Sequence, residues 1–267
     1  MNTFHSVLSA AGWGLVASSA LGVATWLVSV LKKDVSIVDS VWSLLIMAAA
    51  GAACLALDAD GPRSAWVFGA AAVWALRLAG YITWRNWGEA EDRRYRDIRA
   101  RNQPQFALKS LYLVFLLQAV LAWIVALPIV AATAGNEPLN WLDALGLVVA
   151  VFGFLFETIG DAQLARFRGS PQNAGLVMDR GLWRYTRHPN YFGEFCVWWG
   201  FFLVALAAHG WWSAGSPLLM SFLLLKVSGV TLLEKDIGER RPAYRDYVAR
   251  TNAFFPGAPR RSDRTAG

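Results

Sequence analysis

Between residues 181 and 194 the chain reads GLWRYTRHPNYFGE, and several side-chain chemistries crowd together there. Arg184, Arg187 and His188 are cationic or ionisable, Asn190 is an amide and Glu194 a carboxylate, interleaved with Trp183, Tyr185, Tyr191 and Phe192. Guanidinium groups suit phosphate oxygens, and ring faces suit flat heterocycles. The stretch therefore has the make-up of a loop holding a ligand that combines the two. Pro189 disfavours helical geometry at His188 and predicts a bend. Lipid head groups on the arginines and an interfacial belt of rings would explain Arg and Trp. They would not explain the His-Pro-Asn turn or the acid that follows it.

Other polar residues lie within or beside apolar runs, where each needs a reason. The segment from Asp34 to Trp42 places Asp39 about a turn deeper than Asp34. Burial would favour the protonated acid there, the form that hydrogen-bonds a carbonyl. Pairing of Asp39 with an arginine such as Arg77 is the structural alternative, and the two are compatible. Trp74, Arg77, Tyr81 and Trp84 recur at helical spacing and predict one polar-aromatic stripe turned away from lipid. In the charged run that follows, most members read as a solvated helix, with Glu91, Asp92 and Tyr95 able to turn inward. Glu157 and Asp161 share a helical face, followed by Gln163, Arg166 and Arg168. Acids for ribose hydroxyls or an amide, beside arginines for phosphate, fit this pattern. No HxxxH or HExxH spacing exists, so a metal is excluded. The charges from Glu234 to Tyr247 read mostly as an amphipathic helix on the membrane surface.

The elements positioning these residues are apolar. The 267-residue chain is 56% hydrophobic and 16% charged, against about 25% charged in soluble domains. Seven segments approach or exceed the length that crosses the roughly 30 Å hydrocarbon layer: residues 8–31, 35–57, 64–84, 111–134, 142–160, 192–208 and 217–233. Of the 25 Lys and Arg, Arg63 falls in an outer loop and Arg77 and Lys226 within spans; the others flank one side. Read by the positive-inside rule, this is an all-α integral membrane bundle of seven transmembrane helices, N-terminus outside and C-terminus cytoplasmic. The map predicts a single domain over residues 1–256 and a polar, disordered tail over 257–267. The basic residues are topology signals rather than a nucleic-acid surface. Cys54 and Cys196 read as small buried apolar residues.

The run from Gly181 to Glu194, the later Glu234-Lys235-Asp236, the tail Tyr244-Arg-Asp-Tyr247 and its Phe-Pro ending resemble the steroid 5-alpha-reductase family. The Asp34-x-Ser-x-x-Asp39-x-x-Trp42 opening and Glu91-Asp92-Arg93-Arg94-Tyr95 are similar to its bacterial branch. The resemblance spans about residues 34–256. It implies a seven-helix reductase using NADPH, with hydride passing to the beta carbon of an enone while an acid or phenol polarises the carbonyl. It maps cofactor contacts onto Asp161, Arg168, Asn190 and Glu194, and onto Arg77 and Tyr81. Glu157 stands where animal members have Asn. Arg184, Arg187, His188, Tyr191, Lys235 and Asp236 complete the expected cofactor set.

The chain departs from that pattern at the carbonyl-polarising pair. Animal members use a Glu preceded by Gln on the second helix and a Tyr three residues before the third-helix Arg. Here those places hold Asp39, after Val38, and Trp74, and indole cannot donate a proton as phenol can. The expected catalytic residues are therefore Asp39, assisted by Tyr95. No GxGxxG follows a strand, so the nucleotide is not held by a Rossmann domain. The expectation is a monomer in a bacterial inner membrane, its NADPH site facing the cytoplasm and an enone lipid or steroid arriving from the bilayer among the membrane lipids. The RHPNYxGE core also occurs in isoprenylcysteine carboxyl methyltransferases. An S-adenosylmethionine-dependent methyltransferase acting on a lipid or prenyl-cysteine is thus the alternative.

Overall fold

The structure is a computed structural model that describes residues 2–58, 60–227 and 243–260. The described residues form helices and turns, with no strand among them. The helices are α1 (Asn2–Lys32), α2 (Ile37–Ala56), α3 (Pro62–Asn86), α4 (Arg93–Arg101), α5 (Phe106–Ser110), α6 (Leu117–Ala134), α7 (Trp141–Arg168), α8 (Pro189–Ala207), α9 (Gly215–Phe222) and α10 (Ala243–Arg250). A π-helical turn at Leu111–Leu116 joins α5 to α6, and another at Leu223–Val227 extends α9.

Among the described residues, six helices are long and apolar enough to cross a membrane: His5–Lys32, Ile37–Ala56, Pro62–Asn86, Phe106–Ala134, Trp141–Arg168 and Pro189–Ala207. The protein is an all-helical membrane protein. Of the expected seventh segment, the structure describes α9 and its π turn; the remainder lies outside the described residues.

Two boundaries differ from the sequence map in ways that matter for the site. α7 continues to Arg168, so Asp161 and Arg168 ride on one helix rather than in a loop. α8 begins at Pro189, three residues before the expected start. Proline is favoured at the first helical position, where its missing N–H and fixed φ suit the helix. The expected bend at His188-Pro189 is therefore a helix N-terminus, and Asn190 lies in its first turn.

The chain divides into two compact units, residues 1–141 with 204–216, and residues 142–203 with 217–267. In the first, α2 packs against α1, α3 and α6. Its buried residues are Val38, Leu45, Ile46, Ala49, Ala50 and Ala53, and the neighbouring helices bury small residues of their own, Ala71 and Ala75 on α3 and Ala119 and Ala122 on α6. Small side chains allow apolar helices to approach closely where lipid offers no hydrophobic drive. α1 ends in paired main-chain bonds, Asp34 N–H to Ser29 O (3.1 Å) and Lys33 N–H to Val30 O (3.4 Å). That is a Schellman end, and its left-handed position (φ 55°) holds Lys33, where glycine is usual.

In the second unit α7 and α8 meet along a seam of small residues. A Cβ added at Gly153 would lie 2.5 Å from Gly193 O, and one at Gly193 would lie 2.5 Å from Glu157 N. Any larger side chain at either position would push the helices apart. Phe152, Phe156, Phe192, Phe195, Phe254 and Phe255 form a run of edge-to-face and tilted ring contacts beside that seam.

Candidate functional site

In the first unit the structure brings the two expected catalytic residues into contact. The Tyr95 hydroxyl donates to Asp39 Oδ1 at 2.5 Å, and Gln118 Nε2 donates to the Tyr95 oxygen at 3.1 Å. Arg94 Nη2 donates to Asp39 Oδ2 at 2.7 Å. Asp39 thus has one oxygen on the Tyr95 phenol and the other on the Arg94 guanidinium. Burial, followed by the neighbouring Asp39 carboxylate, pushes the Tyr95 hydroxyl well above its ordinary pKa. The arginine that meets Asp39 is Arg94, where Arg77 was the sequence candidate.

α4 is held in place to make this contact. Asp92 caps its N-terminus, accepting from Arg94 N–H at 2.9 Å and from Arg94 Nε at 3.0 Å. Glu91 accepts from Val35 N–H at 2.9 Å and from Arg99 Nη2 at 2.6 Å. Burial opposes the charge of both acids, but these donors outweigh it and hold both carboxyls below their usual range. Burial likewise opposes the Arg94 charge, and Asp39 with Asp92 outweighs it, raising the guanidinium above its ordinary value. The chain between α3 and α4 is thereby pinned to the start of α2.

The expected stripe on α3 is graded rather than uniformly inward. Trp74 is 1% exposed, Arg77 and Tyr81 are half-buried, and Trp84 is 65% exposed. Arg77 and Arg85 both lie over the Tyr81 ring, at 5.4 and 5.8 Å from its centroid.

Among the described residues of the second unit the buried charged or imidazole side chains are Asp143, Glu157, Asp161, Arg187, His188 and Glu194. Glu157 and Asp161 are 2% and 3% exposed, one turn apart on α7. The Gly153–Gly193 approach sets Glu157 against the first turns of α8, and Gly160 faces Pro189 and Asn190 N. Glu157, Asp161, Asn190 and Glu194 therefore share one neighbourhood. Asn190 Oδ1 is buried and accepts no hydrogen bond from the described residues. His188 and Tyr191 stack, ring centroids 5.5 Å apart and planes 7° apart. Arg168 and Arg184 are exposed; Arg168 lies seven residues past Asp161, about 10 Å further along the helix.

The 183–188 loop is bolted down by main-chain acceptors near the C-terminus. Thr186 Oγ1 donates to Phe254 O at 2.8 Å, Arg187 N–H to Asn252 O at 2.9 Å, and the Tyr247 hydroxyl to Trp183 O. Trp183 Nε1 donates to Gly160 O at 2.9 Å. Arg187, expected among the cofactor ligands, directs Nη1 to the carbonyls of Val248 and Thr251. A cation there suits the C-terminal end of α10, and phosphate would have to compete for it. The first residues of the expected tail are also tied, Gly257 N–H to Tyr185 O and Arg260 N–H to Arg250 O. Lys235 and Asp236 lie outside the described residues. Among the described residues no cluster of His, Cys, Asp and Glu has the form of a metal site.

A family model described as a protein of unknown function, DUF1295, matches residues 25–251. The chain belongs to that family. The matched region contains every candidate residue named above, from Asp39 to Tyr247, and stops short of the Phe254-Phe255 contacts. An uncharacterized protein of Schizosaccharomyces pombe is 28% identical over 283 aligned residues, covering 91% of this chain and 78% of that protein. No solved structure matches the chain.

Three contributors escaped the sequence reading: Arg94 as the Asp39 partner, Gln118 as the Tyr95 partner, and the glycine seam. Gln118 follows the π turn, which rotates the helix face after it; such turns often mark functional positions but leave no hydropathy signal. The seam was open to reading, because Gly146, Ala150, Gly153 and Gly160 repeat at heptad-like spacing.

Proposed function

We propose that this protein is a membrane-embedded, NADPH-dependent reductase of an enone lipid, with a 3-oxo-4-ene steroid the first substrate to test. The reading includes a seventh span, an external N-terminus and a cytoplasmic C-terminus, as the placement of Lys and Arg suggests. Its carrying observation is the buried Asn190 Oδ1, an acceptor that no described residue supplies with a donor. A buried acceptor left unmet costs about 1–3 kcal/mol, so such an atom is fitted to a ligand N–H. The carboxamide of nicotinamide carries such a donor. Glu157, Asp161 and Glu194 would meet ribose hydroxyls or amide hydrogens, and exposed Arg168 and Arg184 would meet phosphates. Arg77 and Tyr81 remain cofactor candidates by resemblance. NADPH, when bound, supplies the hydride.

The chain's own part is to place a hydrogen-bond donor on the substrate carbonyl oxygen. Tyr95 keeps its hydroxyl hydrogen, and Asp39 orients that hydrogen while Arg94 holds the other Asp39 oxygen. As an enone accepts hydride at its beta carbon, an electron pair moves onto the carbonyl oxygen. A phenol swinging its hydrogen bond from Asp39 to that oxygen stabilises the new charge, and the alpha carbon is then protonated from water. Asp39 becomes a positioning residue and Tyr95 the catalytic donor.

The test is consumption of NADPH by the purified protein on addition of an enone. Asp39→Asn nearly abolishes turnover and leaves NADPH affinity intact. Full activity in that variant removes Asp39 from the mechanism. Binding of S-adenosylmethionine in place of NADPH would transfer the protein to the methyltransferase reading.

A further inference from the structure

A groove of about 790 Å³ opens in the first unit where α1 gives way to α2. Its walls are apolar, with Leu21 and Val28 from α1 and Ile37 and Val41 from α2. Its mouth carries Lys32, Lys33 and Glu89, all exposed. Two further carboxylates at the rim are already engaged: Asp34 accepts from Ser36 N–H at 2.9 Å, and Glu91 accepts from Arg99 and Val35. No described residue pairs with the Lys32 and Lys33 ammonium groups or with the Glu89 carboxylate. Neither Asp39 nor Tyr95 lines this groove, so it is separate from the catalytic pair.

Two cations and one anion at the mouth of an oily slot, on a membrane helix bundle, match an amphiphile whose head carries both signs. Lys33 occupies the left-handed position of the Schellman end, which glycine adopts at no steric cost and a lysine at a modest one. We propose that the groove binds a zwitterionic phospholipid of the phosphatidylethanolamine type. One acyl chain would lie along Leu21, Val28 and Val41, the phosphate at Lys32 and Lys33, and the head-group ammonium at Glu89.

Native mass spectrometry of the full chain, released from detergent after incubation with a defined lipid, tests this. The probes are phosphatidylethanolamine, anionic phosphatidylglycerol, and diacylglycerol without a charged head. Phosphatidylethanolamine should be retained best. Lys33→Gly should raise the melting temperature by removing the strain, yet lower phosphatidylethanolamine retention severalfold. Glu89→Gln should lower retention of phosphatidylethanolamine and not of phosphatidylglycerol. Equal retention of all three lipids, a preference of the native chain for phosphatidylglycerol, or undiminished retention by the Lys33→Gly variant would each overturn the proposal.

Discussion

The two units handle buried polarity in opposite ways. Around Asp39 every polar atom has its match: a phenol and a guanidinium on the carboxylate, an amide on the phenol, a cap on the helix that carries both donors. Around Asn190 the fixing is done by the backbone, with the loop bonded to carbonyls near the C-terminus, while the Asn190 oxygen is left without a donor. The first arrangement is closed among its own side chains. The second holds a rigid frame open to one more hydrogen bond. Buried polar groups are almost always satisfied, and this contrast is why the proposed cofactor is assigned to the Asn190 neighbourhood.

Substitutions that act on one unit alone probe this contrast. The largest effect is expected from Tyr95→Phe, which removes the proton and keeps the ring. Turnover should fall by about 10²–10⁴-fold, the usual worth of a positioned acid, with NADPH affinity unchanged. Loss of affinity instead of turnover would put Tyr95 in the cofactor site. Arg187→Met should uncover the Val248 and Thr251 carbonyls and destabilise the protein by about 2–4 kcal/mol. A thermal-shift measurement in detergent reads this as a clear drop in melting temperature. An unchanged melting temperature with weakened NADPH binding would return Arg187 to the cofactor ligands.

Asn190→Ala should behave in reverse, with melting temperature unchanged or raised and NADPH affinity lowered about tenfold, the worth of one satisfied buried bond. A destabilised Asn190→Ala variant with normal affinity would mean that the amide serves the fold.

The smallest effect concerns pH. Glu91 and Asp92 titrate below their usual range in the folded chain, so their pinning of α4 is complete above the ordinary carboxylate pKa of about 4. It is lost as pH falls through their lower folded values. Hydrogen exchange at α4 amides should quicken in that acid window, and Glu91→Gln should flatten the dependence.

Much of this architecture could be read from residue order, because hydropathy windows and helical spacing are local properties. They located all six described spans, put Glu157 and Asp161 on one face, and named Asp39 with Tyr95. They failed where a contact depends on distant chain. Nothing near Asp39 says that Arg94, rather than Arg77, will reach it; that follows from the cap at Asp92 and the Glu91 bond to Val35. Nothing near Arg187 says that its partners are carbonyls some sixty residues on, since a carbonyl has no side-chain signature. The start of α8 was misplaced for a simpler reason: Pro189 was weighed as a breaker, when at a first helical position it is a starter.

Deuterium transfer is the most direct test of the central claim. Purified protein given an enone and NADPH deuterated at the transferable position of the nicotinamide ring should yield product one mass unit heavier, with deuterium on the former beta carbon. Product without deuterium, or a substrate that gains a methyl group from S-adenosylmethionine, would contradict the account.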